Sequence, residues 1–118
     1  MNSKKKKNKV VKFLKQKLGK LFWYWVCKNN RMPLSFFEEH FNKINWSGLC
    51  ENTSIPASFF EKHLNKINWA NLCSNTNIPA SFFEKHIDKL SYIHFWRNLC
   101  SNTNIPASFF EKHIDKIH

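Results

Sequence analysis

The stretch SNTNIPASFFEKHIDK occupies residues 74–89 and returns letter for letter at residues 101–116. A catalytic motif is normally built once, whereas a structural unit can be copied, so the duplication calls for a search for a period. One period runs through the chain. The cysteines are Cys27, Cys50, Cys73 and Cys100; the prolines are Pro33, Pro56, Pro79 and Pro106. The histidines His40, His63, His86 and His113 keep the same intervals of 23, 23 and 27 residues. A tryptophan stands four residues before every cysteine, at Trp23, Trp46, Trp69 and Trp96. Four residue types in one register define a unit.

Each unit has helical grammar in two pieces. Trp69, Leu72 and Cys73 stand at i, i+3 and i+4 and share one helix face. Asn68 is suited to N-cap that helix, and Ile67 before it can staple onto Leu72. The run at residues 75–78 is a break. A second, longer helix of about three turns is expected from Pro79, with Phe83, Ile87 and Leu90 on one face. Ser81-x-x-Glu84 also fits a capping box, which leaves two starts open for that helix. Helices this short are marginal alone and must bury their aromatic faces against neighbours. The expected architecture is therefore all-α: a solenoid-like array of four short helix-pair repeats, covering about residues 21–43, 44–66, 67–89 and 90–118. In the last unit residues 90–95 replace a two-residue link. Four extra residues add roughly one helical turn, so the direction of Trp96 is kept.

Composition sets the remaining bounds. The 118 residues are 42% hydrophobic and 16% aromatic, enough for one core, and only 2 Gly and 4 Pro argue against a turn-rich β sandwich. The net charge of +11 is unevenly placed. Nine lysines (Lys4, Lys5, Lys6, Lys7, Lys9, Lys12, Lys15, Lys17 and Lys20) fall in residues 1–20, where there is no acid. The repeat body at 21–118 carries ten basic against eight acidic residues and reads as an ordinary surface. No apolar run approaches a membrane span. Lys20 interrupts the apolar stretch that would serve a signal peptide, and no small-residue cleavage site follows. Without secretion, the sequons at Asn45 and Asn52 stay unused.

The order W-x-x-L-C, then N-T-x-I-P, then S-F-F-E-K-H-x-D-K resembles short tandem helical repeats of giant, mimivirus-like DNA viruses, from residue 21 to the end of the chain. The resemblance implies an α-helical array and a viral origin; with neither a signal peptide nor a membrane span read from the sequence, an intracellular place in a host cell, cytoplasm or nucleus, is expected. It carries no catalytic residues to transfer. The first unit departs most, with residues 29–32 replacing the N-T-x-I run and Glu39 the usual lysine, and is expected to act as a cap.

The cysteines admit disulfides, buried small hydrophobes or zinc ligation. One cysteine per unit at a core-facing position favours burial. Each cysteine precedes a histidine by C-x12-H, but the second Cys and His of a finger are missing, so a zinc site would need ligands from neighbouring units. No metal or other cofactor is expected. His63, His86 and His113 are read as packed or hydrogen-bonded, with no catalytic role and no enzyme activity. The Phe-Phe pairs, each followed by Glu, are read as core rather than as base-stacking platforms.

Residues 1–20 are the feature outside the repeat. Val10 or Val11, Leu14, Leu18, Leu21 and Trp25 follow helical spacing among the lysines. A basic amphipathic helix can lie on an anionic membrane, enter a partner's groove or bind nucleic acid; a solvated tail leading into the array is the plain alternative. Function is thus read as a non-enzymatic protein-protein interaction module, with membrane-surface or nucleic-acid attachment through the nine lysines as the alternative. The letters Ser, Asn, Thr, Glu and Lys of the unit are expected to lie on its surface, where packing does not require them to recur.

Overall fold

The computed structural model describes residues 3–17 and 19–116; the side chains of Lys7, Val11, Leu14, Lys15 and Lys17 are outside that description. Every described element is helical. Two N-terminal helices, α1 (Ser3–Lys17) and α2 (Gly19–Lys28), precede α3 (Leu34–Glu39), α4 (Trp46–Cys50), α5 (Ala57–Glu61), α6 (Trp69–Cys73), α7 (Ala80–Lys85), α8 (Ile93–Cys100) and α9 (Ala107–Lys112). Short 3-10 turns follow α3, α5, α7 and α9, at Phe41–Lys43, Leu64–Lys66, Ile87–Lys89 and Ile114–Lys116. The molecule is elongated, 67 × 28 × 23 Å.

Local chemistry sets the helix ends. Asn45 and Asn68 cap α4 and α6, their side-chain oxygens accepting from the Gly48 and Asn71 N–H groups at 3.0 and 3.2 Å. Pro56, Pro79 and Pro106 take the N-cap position in extended conformation, one residue earlier than the first-turn place expected of them. The longer second helix is a correction. α7 ends at Lys85, and His86 leaves helical geometry at φ −113°, ψ 33° before the 3-10 turn begins. The tertiary contacts of His86, described below, outweigh continuation of so short a helix. Phe82 and Phe83 are consequently both buried.

Within each unit the tryptophan meets the first phenylalanine and the histidine. Trp46 lies 6.1 Å from Phe59 and 5.8 Å from His63, Trp69 6.0 Å from Phe82 and 5.9 Å from His86. Trp96 repeats this with Phe109 and His113 at 5.9 and 6.0 Å. Leu49, Leu72 and Leu99, Phe37, Phe60 and Phe83, and Ile55 and Ile78 fill the interior between the helices. The insertion at residues 90–95 lengthens α8 by its first turn, and the Trp96 indole N–H donates to the Leu90 carbonyl at 2.9 Å. Trp96 stays in register, as four added residues require.

The cysteines are free: Cys27, Cys50 and Cys73 are fully buried, but Cys100 is exposed, against the expectation of burial. The linker of the next unit covers the first of these thiols, as when the Asn45 N–H donates to Cys27 Sγ at 3.3 Å. Among the described residues no linker does so for Cys100. No described helix is long and apolar enough to cross a membrane.

Candidate functional site

One asparagine of each later unit proves to be internal. Asn52, Asn75 and Asn102 stand two residues after a cysteine and are buried. Asn52 Nδ2 donates to the carbonyls of Cys27 and Asn29 at 2.8 and 3.1 Å, and Asn75 does the same to Cys50 and Asn52 at 2.8 and 3.1 Å. Asn102 continues to Cys73 and Asn75 at 2.9 and 3.2 Å. Each side-chain oxygen accepts from the N–H two residues on, at Ser54, Asn77 and Asn104, an Asx turn that shapes the loop. Asn71 and Asn98 donate to the carbonyls of Ser47 and Ala70 at 2.9 and 2.7 Å. The expectation that Asn, Glu and Lys are merely displayed on the surface is therefore corrected. These letters join one unit to the one before it.

The acidic and basic letters do likewise. Glu61 pairs with Lys85 at 2.6 Å and His86 at 2.7 Å; Glu84 pairs with Lys112 at 2.5 Å and His113 at 2.6 Å. The lysine ammonium first, and then the histidine, hold the Glu61 and Glu84 carboxyls below the usual carboxylate range. At the first junction Glu38 makes no such pair; it lines a cleft of about 270 Å³ with Lys62 and His63, beside Phe41. Tyr24 donates to Glu51 there instead, at 2.5 Å, and Lys28 approaches the same carboxylate at 3.4 Å. His86 and His113 are thus packed and hydrogen-bonded, as their spacing indicated. Burial pushes the thiols of Cys50 and Cys73 up to about 12, far from the range of a nucleophile. Among the described residues no three His, Cys, Asp or Glu side chains gather as a metal site.

Another concavity is an open groove of about 1110 Å³ where α1 and α2 face the linkers before α4 and α6. Lys12 comes from α1, Lys20 from α2, Lys43 and Lys66 from the ends of two 3-10 turns. Phe22, Trp23 and Trp46 form its aromatic wall, and among the described residues no carboxylate lines it. Lys4, Lys5, Lys6 and Lys9 are exposed on α1 away from the groove; Lys7, Lys15 and Lys17 lie outside the described side chains. Lys43 and Lys66 were not among the lysines singled out from the sequence. Their signal was available: units one and two carry Asn42 and Asn65 before the terminal lysine, where units three and four carry Asp88 and Asp115.

No family model, curated protein or solved structure matches the chain. Its chemistry is read from its own surfaces. Val10, Phe13, Leu21, Phe22 and Trp25 of α1 and α2 are each at least half exposed, next to the lysines. Trp25 occupies the position held by Gly48, Asn71 and Asn98 in later units, where it would meet a preceding unit.

Proposed function

We propose that the chain is a non-enzymatic helical-repeat protein, four helix-pair units stacked as a solenoid-like array, that attaches to an anionic membrane surface through α1 and α2. The recurrence of the same asparagine bonds at each junction supports the array. Protonated, buried thiols and histidines tied to carboxylates support a role without catalysis.

The observation that carries attachment is the strip of exposed Val10, Phe13, Leu21, Phe22 and Trp25 among lysines on helices free of acid. Apolar side chains beside a dense positive charge suit the boundary between acyl chains and anionic headgroups. A module for a protein partner would use exposed helix faces or loops of several units. The amides of Asn52, Asn75 and Asn102 and the ammonium groups of Lys85 and Lys112 are occupied at the junctions, which favours the surface reading.

Flotation of the full chain with vesicles tests it. Phosphatidylcholine vesicles containing phosphatidylserine should carry the protein at low salt and release it as salt rises. Lys4→Glu/Lys5→Glu/Lys6→Glu and Trp25→Ser should each weaken binding. Protein that stays behind with anionic vesicles at low salt would refute attachment.

A further inference from the structure

We infer that the groove between α1, α2 and the linkers before α4 and α6 is a binding site for a lipid headgroup carrying more than one phosphate. The inference rests on the attachment reading and names the lipid it selects.

Lys12, Lys20, Lys43 and Lys66 reach the groove from four separate elements, and among the described residues no carboxylate in its lining offsets them. Four ammonium groups around a concave, partly apolar wall reinforce one another's field and call for a ligand of several negative charges. The amides of Asn45 and Asn68 are committed to capping and to Lys20 O and Ser47 Oγ, so the lysines carry the recognition. Lysine serves phosphate as a point charge, without the planar fork of arginine. The volume of about 1110 Å³ is at the upper end of small-molecule sites and accommodates a multiply phosphorylated headgroup.

The groove's position decides between lipid and other polyanions. Phe22 belongs both to its wall and to the exposed apolar strip with Leu21 and Trp25. A headgroup in the groove therefore sits beside side chains suited to enter the acyl boundary. A nucleic-acid strand could stack on Phe22 but would leave Val10 and Leu21 uncovered. Register points the same way along the chain: Asp88 and Asp115 precede Lys89 and Lys116, whereas Asn42 and Asn65 precede Lys43 and Lys66. The uncompensated lysines are those next to the apolar strip.

The test compares the full chain on vesicles of equal total charge, containing phosphatidylserine or phosphatidylinositol bisphosphate. The bisphosphate vesicles should bind roughly tenfold tighter, since each added lysine contact near the surface contributes appreciably. Lys43→Glu/Lys66→Glu should remove this preference. Lys89→Glu/Lys116→Glu, with the same change in net charge outside the groove, should keep it. Equal binding of the two vesicle types, or equal loss in both variants, would overturn the headgroup site while attachment stands. Tripolyphosphate bound through Lys43 and Lys66 without any vesicle binding would overturn attachment and assign the groove to a soluble polyphosphate. Tighter binding of a single-stranded oligonucleotide, lost in Lys43→Glu/Lys66→Glu, would overturn the lipid assignment.

Discussion

Asn75 donates its side-chain amide to the Cys50 carbonyl at 2.8 Å, across 25 residues of chain and from one unit to the one before. A second bond from the same nitrogen reaches Asn52 O at 3.1 Å, and its oxygen accepts from Asn77 N–H. Replacing it with alanine takes a donor from each of the Cys50 and Asn52 carbonyls and releases the loop. We expect Asn75→Ala to lower unfolding free energy by about 1–3 kcal/mol, read from denaturant melts. Asn29, whose exposed side chain accepts from the neighbouring Arg31 N–H, should be far more tolerant. Equal losses at both positions would show that the inter-unit bonds add nothing.

Gly48 marks a close approach of α4 to α2. A Cβ there would lie 2.4 Å from the Tyr24 carbonyl oxygen and 3.1 Å from Tyr24 Cα, both backbone atoms that cannot swing aside. Gly48→Ala should cost about 1–3 kcal/mol despite alanine's better helix propensity. Gly19, with open space at its Cβ position, is the control, and Gly19→Ala should be neutral or stabilising. A neutral Gly48→Ala in thermal melts would contradict the packing of α2 on α4.

Acid should loosen the junctions between units. Glu61 and Glu84 have folded-state values below their ordinary 4.5, through Lys85 and Lys112 first and His86 and His113 second. A lowered carboxylate value gives stability that is present above about 4.5 and is lost as pH falls through the folded value. Melting temperature should therefore drop below pH 4.5, and Glu61→Gln/Glu84→Gln should flatten that drop. An unchanged acid limb in the double variant would remove these pairs from the pH response.

The thiols should divide by position. A disulfide-exchange reagent should titrate Cys100 in the folded protein and all four cysteines after denaturation, since Cys27, Cys50 and Cys73 are fully buried. The folded values of Cys50 and Cys73 are raised from 9.0 to about 12, so the unfolded chain loses these protons first. Stability should accordingly fall as pH rises from about 9 towards about 12. Rapid labelling of Cys50 or Cys73 at neutral pH would contradict the burial.

The helical class was legible because spacing alone places Trp69, Leu72 and Cys73 on one face and gives Asn68 a capping position. The fate of His86 was less legible. Its sequence neighbours continue an apolar helical pattern through Ile87 and Leu90, yet the helix stops at Lys85 where His86 packs on Trp69, as α3 stops at Glu39 where His40 packs on Trp23. The groove was half legible. Lys12 and Lys20 stood in the basic segment, but Lys43 and Lys66 looked like ordinary surface charge until the linkers were set against α1 and α2.

By itself the sequence determined the period, the helical class and, Cys100 excepted, the buried cysteine positions, because these follow from residue type and spacing along one short segment. Only the tertiary structure decided what the duplicated polar letters do. Hydrogen bonds from Asn75 to Cys50 and from Lys85 and His86 to Glu61 join atoms more than twenty residues apart. Local spacing cannot specify such partners; the tertiary fold brings them within bonding distance, and it does so in the same geometry for Asn75 and Asn102 in the two copies of SNTNIPASFFEKHIDK.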